Sequence, residues 1–552
     1  MTRSIRLNWL LLFLAAFSPA DGAQFYDDWA ATNFAENPSQ AGATNDPDGD
    51  GENNLVEFAF GTNPLAPGGI TGAINPLFGS PRGTNGLFSV EIFERAGHQP
   101  GVQIDLCLAQ SLAATNWFHP WWLRTNVTSR AGDPAGSVRE NCSTYLPGTN
   151  IWFVRASVQL IEAGAETAKY YVATNGSDSN PGTNISAPFA TLGKATGLAN
   201  SGNLIYVRGG NYHFTTQVST PRGGTPERPI RVRAFPGEHP VLDFAAEADS
   251  DSGISLSKAW WQVYGLEIVH AGHNGIKITG SSNIVERCVV HESGDTGIHI
   301  TTGGGNLVLN CDSYRNYDPP IGGNADGFSA KFPVGPGNVF RNCRSWFNSD
   351  DGWDLWEATN AVVLDHCMTW SNGFNVYDSD PGTNTAFNGN GNGFKLGGNY
   401  YFGSHVISHC ISFGNKVNGY DQNNNTAGLT VDNCIGWANG ARNFQLNHGT
   451  NITSHIIRNN VSFAGASADA FRSGSVITHN SWQILSPDVN AADFLSTNTA
   501  DALAPRRDDG NLPETPFLRP VPGGRLVNKG VDIGESYHGS APDLGAYETP
   551  EW

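Results

Sequence analysis

Four aspartates and two lysines in the middle of this chain are spaced so that they could do chemistry together. Asp326 directly precedes Gly327, and Asp351 directly precedes Gly352, with Asp350 and Asp354 flanking the second. Each glycine opens the same short phrase: Gly, a large apolar residue, then a variable one. The phrase recurs as Gly275-Ile276-Lys277, Gly297-Ile298-His299, Gly327-Phe328-Ser329, Gly352-Trp353-Asp354, Gly393-Phe394-Lys395 and Gly419-Tyr420-Asp421. If the copies stack, Asp326 and Asp351 are neighbours, and Lys395 lies one copy beyond Asp354. Four carboxylates held that close repel one another and are expensive to keep idle. Either they form a solvated acidic face, or a hard cation with oxygen ligands removes the repulsion, and calcium suits such a cluster. Lys395 is one of only eight lysines in the chain. It is either half of an ion pair with Asp354 or a functional amine. Lys331, five residues past Asp326, either helps to bind carboxylates or packs its stem along the surface.

The elements that would position these groups are visible as a repeat. Cys343-Arg-Ser-Trp-Phe-Asn348, Cys367-Met-Thr-Trp-Ser-Asn372, Cys410-Ile-Ser-Phe-Gly-Asn415 and Cys434-Ile-Gly-Trp-Ala-Asn439 share a cysteine, an aromatic three later and an asparagine five later. Cys311 opens a further copy with Tyr314 and Asn316, Cys288 lies ahead of it, and Asn460 with Phe463 continues the series. The steps from Cys343 to Cys367 and from Cys410 to Cys434 are each 24 residues. A period of this length in strand-like sequence predicts a solenoid of β coils. The cysteines then stack as small buried hydrophobes, and no Cys-x-x-Cys pair supports a metal cluster. The apolar residue of each Gly phrase points inward and its successor outward. Successive coils lie about 4.8 Å apart. The asparagines are expected at tight corners, where Asn tolerates left-handed backbone and bonds its neighbours.

Around the solenoid, residues 1–23 read as a secretory signal: Arg3 and Arg6, then the apolar run Trp9 to Phe17, then small residues. No later segment is apolar enough to span a membrane. Export permits disulfides, and Cys107 and Cys142 could pair. Within residues 24–68, Asp46, Asp48, Asp50, Glu52 and Glu57 have the oxygen spacing of an EF-hand-type loop, with Gly51 at the sixth place, and predict a second, structural calcium. Residues 69–165 alternate polar and apolar in short runs and suggest a small β-sandwich. Phe189, Leu192, Ala195 and Leu198 fall at helical spacing and predict a cap over the first coil of a domain spanning 169–552. With 51 acidic and 32 basic residues, the net charge of −19 argues against nucleic acid as partner. An acidic chain can still hold a polyanion through divalent cations.

Asn324-Ala-Asp326-Gly-Phe328, Ser349-Asp350-Asp351-Gly-Trp-Asp354 and Gly391-Asn-Gly-Phe-Lys395-Leu-Gly-Gly398 resemble the active-site blocks of the family 9 polysaccharide lyases. Tyr170 to Asp178, Pro188 to Leu192 and the closing Ala541 to Glu548 resemble the outer ends of that family, so the similarity covers about 169–552. The resemblance implies a secreted, all-β, right-handed parallel β-helix, typically a pectate lyase. It also implies a catalytic Ca2+ on Asp326, Asp350, Asp351 and Asp354, with Lys395 as Brønsted base. The implied reaction is β-elimination on an anionic, polygalacturonate-like polysaccharide, by a monomer. Two other readings stand beside it. A β-helix glycoside hydrolase would use paired aspartates as acid and base, but the Gly-His-Gly and Arg-Ile-Lys blocks of such hydrolases are missing. A non-catalytic carbohydrate-binding solenoid would need neither the aspartate cluster nor a lysine beside it.

Overall fold

A computed structural model describes residues 168–549 apart from 378–384, 449–452, 508–509 and 536, together with Gln40, Pro47 and the backbone of six strands between 74 and 160. The chain divides into two compact units between Glu166 and Thr167. In the first unit, Ile74–Leu77, Asn85–Arg95, Ser137–Pro147 and Leu123–Val127 form a four-stranded antiparallel sheet in that order, and Val102–Ala109 pairs with Phe153–Leu160. Cys107 and Cys142 fall on different sheets, and their side chains lie outside the described residues. So do residues 1–23 and the proposed calcium ligands Asp46, Asp48, Asp50, Glu52 and Glu57.

The second unit is a parallel β-helix. Its strands fall into three parallel sheets of 10, 12 and 10 strands, and within each sheet neighbours are three strands apart in sequence, except that the first strand, Tyr170–Val172, pairs with the next, Leu204–Val207. Every coil therefore gives one strand to each sheet. The Gly-apolar-variable phrases make one sheet, hereafter the site sheet, in the expected register: Phe328 pairs with Trp353, Asp354 with Lys395 and Lys395 with Asp421. Inside it the apolar residues form a continuous stack, with Phe328–Trp353, Trp353–Phe394, Phe394–Tyr420 and Tyr420–Phe444 centroids 4.6, 5.0, 5.1 and 4.7 Å apart. The glycines ahead of them are required by close approach. A Cβ at Gly352 would lie 2.0 Å from Thr369 Oγ1, and one at Gly327 would lie 2.0 Å from Ser345 Oγ.

Two corners explain the cysteine phrase. Cys288, Cys311, Cys343, Cys367, Cys410 and Cys434 are buried free thiols on successive coils, as expected. The residue before each is the one that turns left-handed, as at Asn310 (φ 56°), Asn342 (53°), His366 (52°) and His409 (52°). At the next corner the structure corrects the sequence reading. The left-handed residue is Arg315, Phe347 or Ser371, one place before the asparagine column. The asparagines are instead a buried ladder: Nδ2 of Asn316, Asn348, Asn372 and Asn415 donates to Oδ1 of the next at 2.8, 3.0, 2.9 and 3.0 Å. Their amides satisfy one another inside the coil, where an unpaired polar group would be costly. The helix Leu192–Leu198 caps the first coil with Leu192 and Ala195 buried, whereas Leu198 points to solvent.

The aromatic column after the cysteines faces outward yet is covered. Tyr314, Trp346, Trp370, Phe413, Trp437 and Phe463 stack in sequence, and Phe494 and Phe517 from the C-terminal segment pack on the end of the stack. Asp312 ties that segment down. Its carboxylate takes Arg344 Nη2 and Arg506 Nη2, each at 2.6 Å, while Arg344 Nη1 donates to the carbonyls of Ala502 and Ala504. Burial would raise the pKa of Asp312, but Arg506 and Arg344 outweigh it and hold it below the usual carboxylate range. A depressed folded pKa adds stability that is present above the unfolded value of about 3.9 and is lost as pH falls through the folded one. Asp312→Ala leaves two buried guanidinium groups unpaired and is expected to cost about 3–5 kcal/mol. A lowered denaturation midpoint for this unit at neutral pH, with a smaller loss at pH 2–3 (about 1–2 units below the unfolded carboxylate value), is the check.

Candidate active site

The site is built on three consecutive coils of the site sheet, Phe328–Ala330, Trp353–Asp354 and Phe394–Lys395. Because Phe328 pairs with Trp353, the residues two places earlier, Asp326 and Asp351, are also neighbours; the Asp351 N–H donates to Asp326 Oδ1 at 3.2 Å. Oxygens of Asp326, Asp350, Asp351 and Asp354 all lie within 4.8 Å of one another. Lys395 Nζ stands 3.1 Å from Asp351 Oδ2 and 3.1 Å from Asp354 Oδ2. Lys331 Nζ stands 2.6 Å from Asp326 Oδ2 and 3.0 Å from Asp354 Oδ2. All four carboxylates are buried, and Lys395 nearly so. The variable column is therefore an outward-facing row sunk beneath neighbouring corners, rather than a freely exposed line.

Backbone and amide donors fix the carboxylates from one side. Asp350 Oδ1 accepts from the Asn390 N–H at 2.5 Å, and Asp351 Oδ1 from the Asn392 N–H at 2.7 Å and its Nδ2 at 3.0 Å. Asp326 Oδ2 accepts from Thr296 Oγ1 at 3.2 Å, and Asp354 Oδ1 from the Trp356 N–H at 2.9 Å. On the other side the arrangement is incomplete. Among the described residues, Asp350 Oδ2 is buried with no hydrogen-bond donor, and Asp351 Oδ2 has only the Lys395 ammonium, off the line of a hydrogen bond. With all four ionised, the carboxylates outnumber the two ammonium groups that touch them among the described residues, leaving two negative charges uncompensated. Burial first, and neighbouring aspartates next, push Asp326 well above the usual range and Asp351 up to about 8. Burial would likewise raise Asp354, but Lys331 and Lys395 together bring it below its ordinary value. Burial would lower the pKa of Lys395, but Asp354 and Asp351 raise it well above normal. All-oxygen, carboxylate-rich donors with unsatisfied lone pairs and surplus negative charge fit a hard divalent cation.

Thr296, Asn390 and Asn392 were not singled out from sequence. Asn390 and Asn392 sit at the end of a long insertion, and the signal that could have found them is the Asn-Gly-Asn-Gly run ahead of Phe394. One coil before Asp354, Ser329 Oγ and His299 Nδ1 lie 2.6 Å apart; burial, then Lys331 and Lys277, push His299 down to about 3 and keep it neutral. A further group, Asp365, His366 and His409, brings three potential ligand atoms together elsewhere. Its imidazoles are stacked with centroids 4.5 Å apart and planes 11° apart. No point between such rings lies in both ring planes, so they cannot chelate one ion as they stand. Asp365 is instead a buried ion-pair centre, 2.9 Å from Arg341 Nε.

Comparison with known proteins accords with this geometry. The model of the Pel9A-like right-handed β-helix region matches residues 170–460. Pectate lyase L of Dickeya dadantii (strain 3937) is 39% identical over 405 residues, covering 70% of this chain and 92% of that protein. The crystal structure of pectate lyase Pel9A superposes with a TM-score of 0.64 at 37% identity, covering 70% of this chain and 98% of that one. A rhamnogalacturonan lyase structure follows with a TM-score of 0.57 at 25% identity, covering 64% and 96%. With more than half the chain matched by the family model, and the β-helix unit carrying the match, this chain belongs to the Pel9A-like, family 9 right-handed β-helix polysaccharide lyases.

Proposed function

We propose that this protein is a secreted lyase that cleaves a polygalacturonate-like polyuronide by β-elimination, with calcium held by Asp326, Asp350, Asp351 and Asp354 and with Lys395 as the base. One observation carries the reading: Lys395 Nζ lies against a buried carboxylate cluster that retains unsatisfied oxygens and surplus negative charge. The pectate lyase names of its relatives supply the substrate class. When bound there, calcium would supply positive charge beside the substrate carboxylate, acidifying the neighbouring C5 proton, and would weaken the carboxylate field that holds Lys395 protonated. Lys395 Nζ then accepts the C5 proton. That electron pair becomes the C4–C5 double bond as the C4–O bond breaks, and the departing sugar oxygen is protonated from solvent. Asn390, Asn392, Thr296 and the Trp356 N–H hold the carboxylates in place while charge moves. Lys331 serves as a second ammonium for substrate carboxylates beside its pairs with Asp326 and Asp354. The modules before Lys169 are read as accessory to this chemistry.

The test is ultraviolet absorbance of the unsaturated product on a panel of polyuronides. Signal on polygalacturonate above that on rhamnogalacturonan and alginate supports the reading. Reducing ends released without any absorbing product would replace it with hydrolysis.

A further inference from the structure

The corner that follows each site strand carries a second pattern. The backbone passes through the left-handed region at Thr302 (φ 60°), Phe332 (64°), Glu357 (56°), Asn399 (51°), Tyr400 (62°) and Asn424 (61°). Asparagine is at home there, whereas a bulky aromatic is an outlier whose strain needs a reason. Phe332 and Tyr400 occupy such positions and gain little burial in return, being 41% and 62% exposed. Phe402, on the same turn as Tyr400, is 59% exposed.

These residues follow the first and third of the three site strands, with Trp356 on the coil between them. Phe332 follows Lys331 and meets Trp356 edge-on at 5.6 Å, and the Trp356 N–H is bonded to Asp354. Tyr400 lies five residues past Lys395 on its coil. Gly398 lets that turn close against Trp356, since a Cβ there would lie 1.9 Å from the indole Cδ1. The turn is also anchored to the next coil, with the Thr426 N–H donating to the Tyr401 carbonyl at 3.0 Å and Thr426 Oγ1 to the Tyr400 carbonyl at 3.3 Å. Exposed aromatics on a fixed backbone beside a catalytic cluster mark a ligand surface rather than scattered apolar residues. A pyranose ring has an apolar C–H face that suits such rings, and Glu357, at the same corner on the coil between them, is held by Asn399 Nδ2 at 2.6 Å.

We propose that Phe332, Tyr400 and Phe402 form an aromatic shelf on which the C–H face of a substrate pyranose ring packs next to Lys395. This rests on the lyase reading above for the identity of the ligand. Binding of hexagalacturonate with calcium, measured calorimetrically in full-length protein carrying Lys395→Ala, separates the two. Adding Tyr400→Asn and Phe402→Ser is expected to raise Kd about ten-fold or more, and Tyr400→Phe alone to change it less than about two-fold, since the ring face is kept. Because asparagine suits the left-handed position, the melting midpoint of Tyr400→Asn should hold or rise. The shelf is overturned if the double change leaves Kd within two-fold, if Tyr400→Phe is as weak as Tyr400→Asn, or if binding and melting fall together. Intact shelf-dependent binding in a protein whose wild type releases no unsaturated product would retain the shelf and remove the lyase mechanism.

Discussion

Lys395→Ala is expected to lower the turnover number by about 10²–10⁴, the range for loss of a general base. The side chain donates a hydrogen bond to Asp354 Oδ2 at 3.1 Å and stands 3.1 Å from Asp351 Oδ2, while the other oxygens of both are fixed by the Trp356 N–H and Asn392. The cluster therefore keeps its shape without the amine, and substrate affinity should change much less than turnover. Lys395→Arg is the more informative partner. A guanidinium preserves the positive charge but does not give up its proton at working pH. If Lys395 served only as a charge, arginine would rescue; as a base, it stays crippled. Steady-state rates of the two variants beside wild type decide it, and substantial turnover by the arginine variant would move the base elsewhere, with Lys331 the next amine in the site.

The second large effect is metal removal. Exhaustive chelation is expected to abolish turnover, and calcium to restore it. Asp351→Ala should raise the calcium concentration needed for half-maximal rate, because it removes one of the under-satisfied carboxylates. The same substitution should not unfold the protein. It deletes a buried group whose pKa is already pushed up to about 8 by burial and by Asp350, so the protein loses a source of repulsion together with the Asn392 bonds. Unchanged turnover after chelation would remove calcium from the mechanism.

Much of the site was legible because a β-helix turns sequence phrases into register. Once Gly327-Phe328, Gly352-Trp353 and Gly393-Phe394 are read as successive copies, the pairing of Asp354 with Lys395 and the adjacency of Asp326 and Asp351 follow from strand geometry. What the copies do not carry was harder to see. Lys331 lies beyond its strand, at a corner, and nothing in the repeat says that its amine reaches back to both Asp326 and Asp354. Asn390 comes from an insertion, so no column predicts it, whereas Asn392 precedes Gly393 as Asp351 precedes Gly352 and its place beside Asp351 follows from register. The asparagine column was visible, but its reason was half wrong: each amide bonds its neighbour inside the coil, and the left-handed turn belongs to the residue in front. The outward aromatic column gave no hint that the chain returns about a hundred residues later to cover it, because that contact, made by Phe517 against Phe413 and Trp437, has no period.

The most direct measurement of the central claim follows the oxygen at the broken bond. Wild-type protein with calcium is given a defined oligogalacturonide in water enriched in heavy oxygen, and the fragments are weighed by mass spectrometry. β-Elimination adds no water, so the fragment masses should sum to that of the parent, with no heavy oxygen at the new ends in the earliest products. Fragments that together exceed the parent by one water, with heavy oxygen incorporated at the cleavage site, would contradict it and leave the paired aspartates as hydrolytic acid and base.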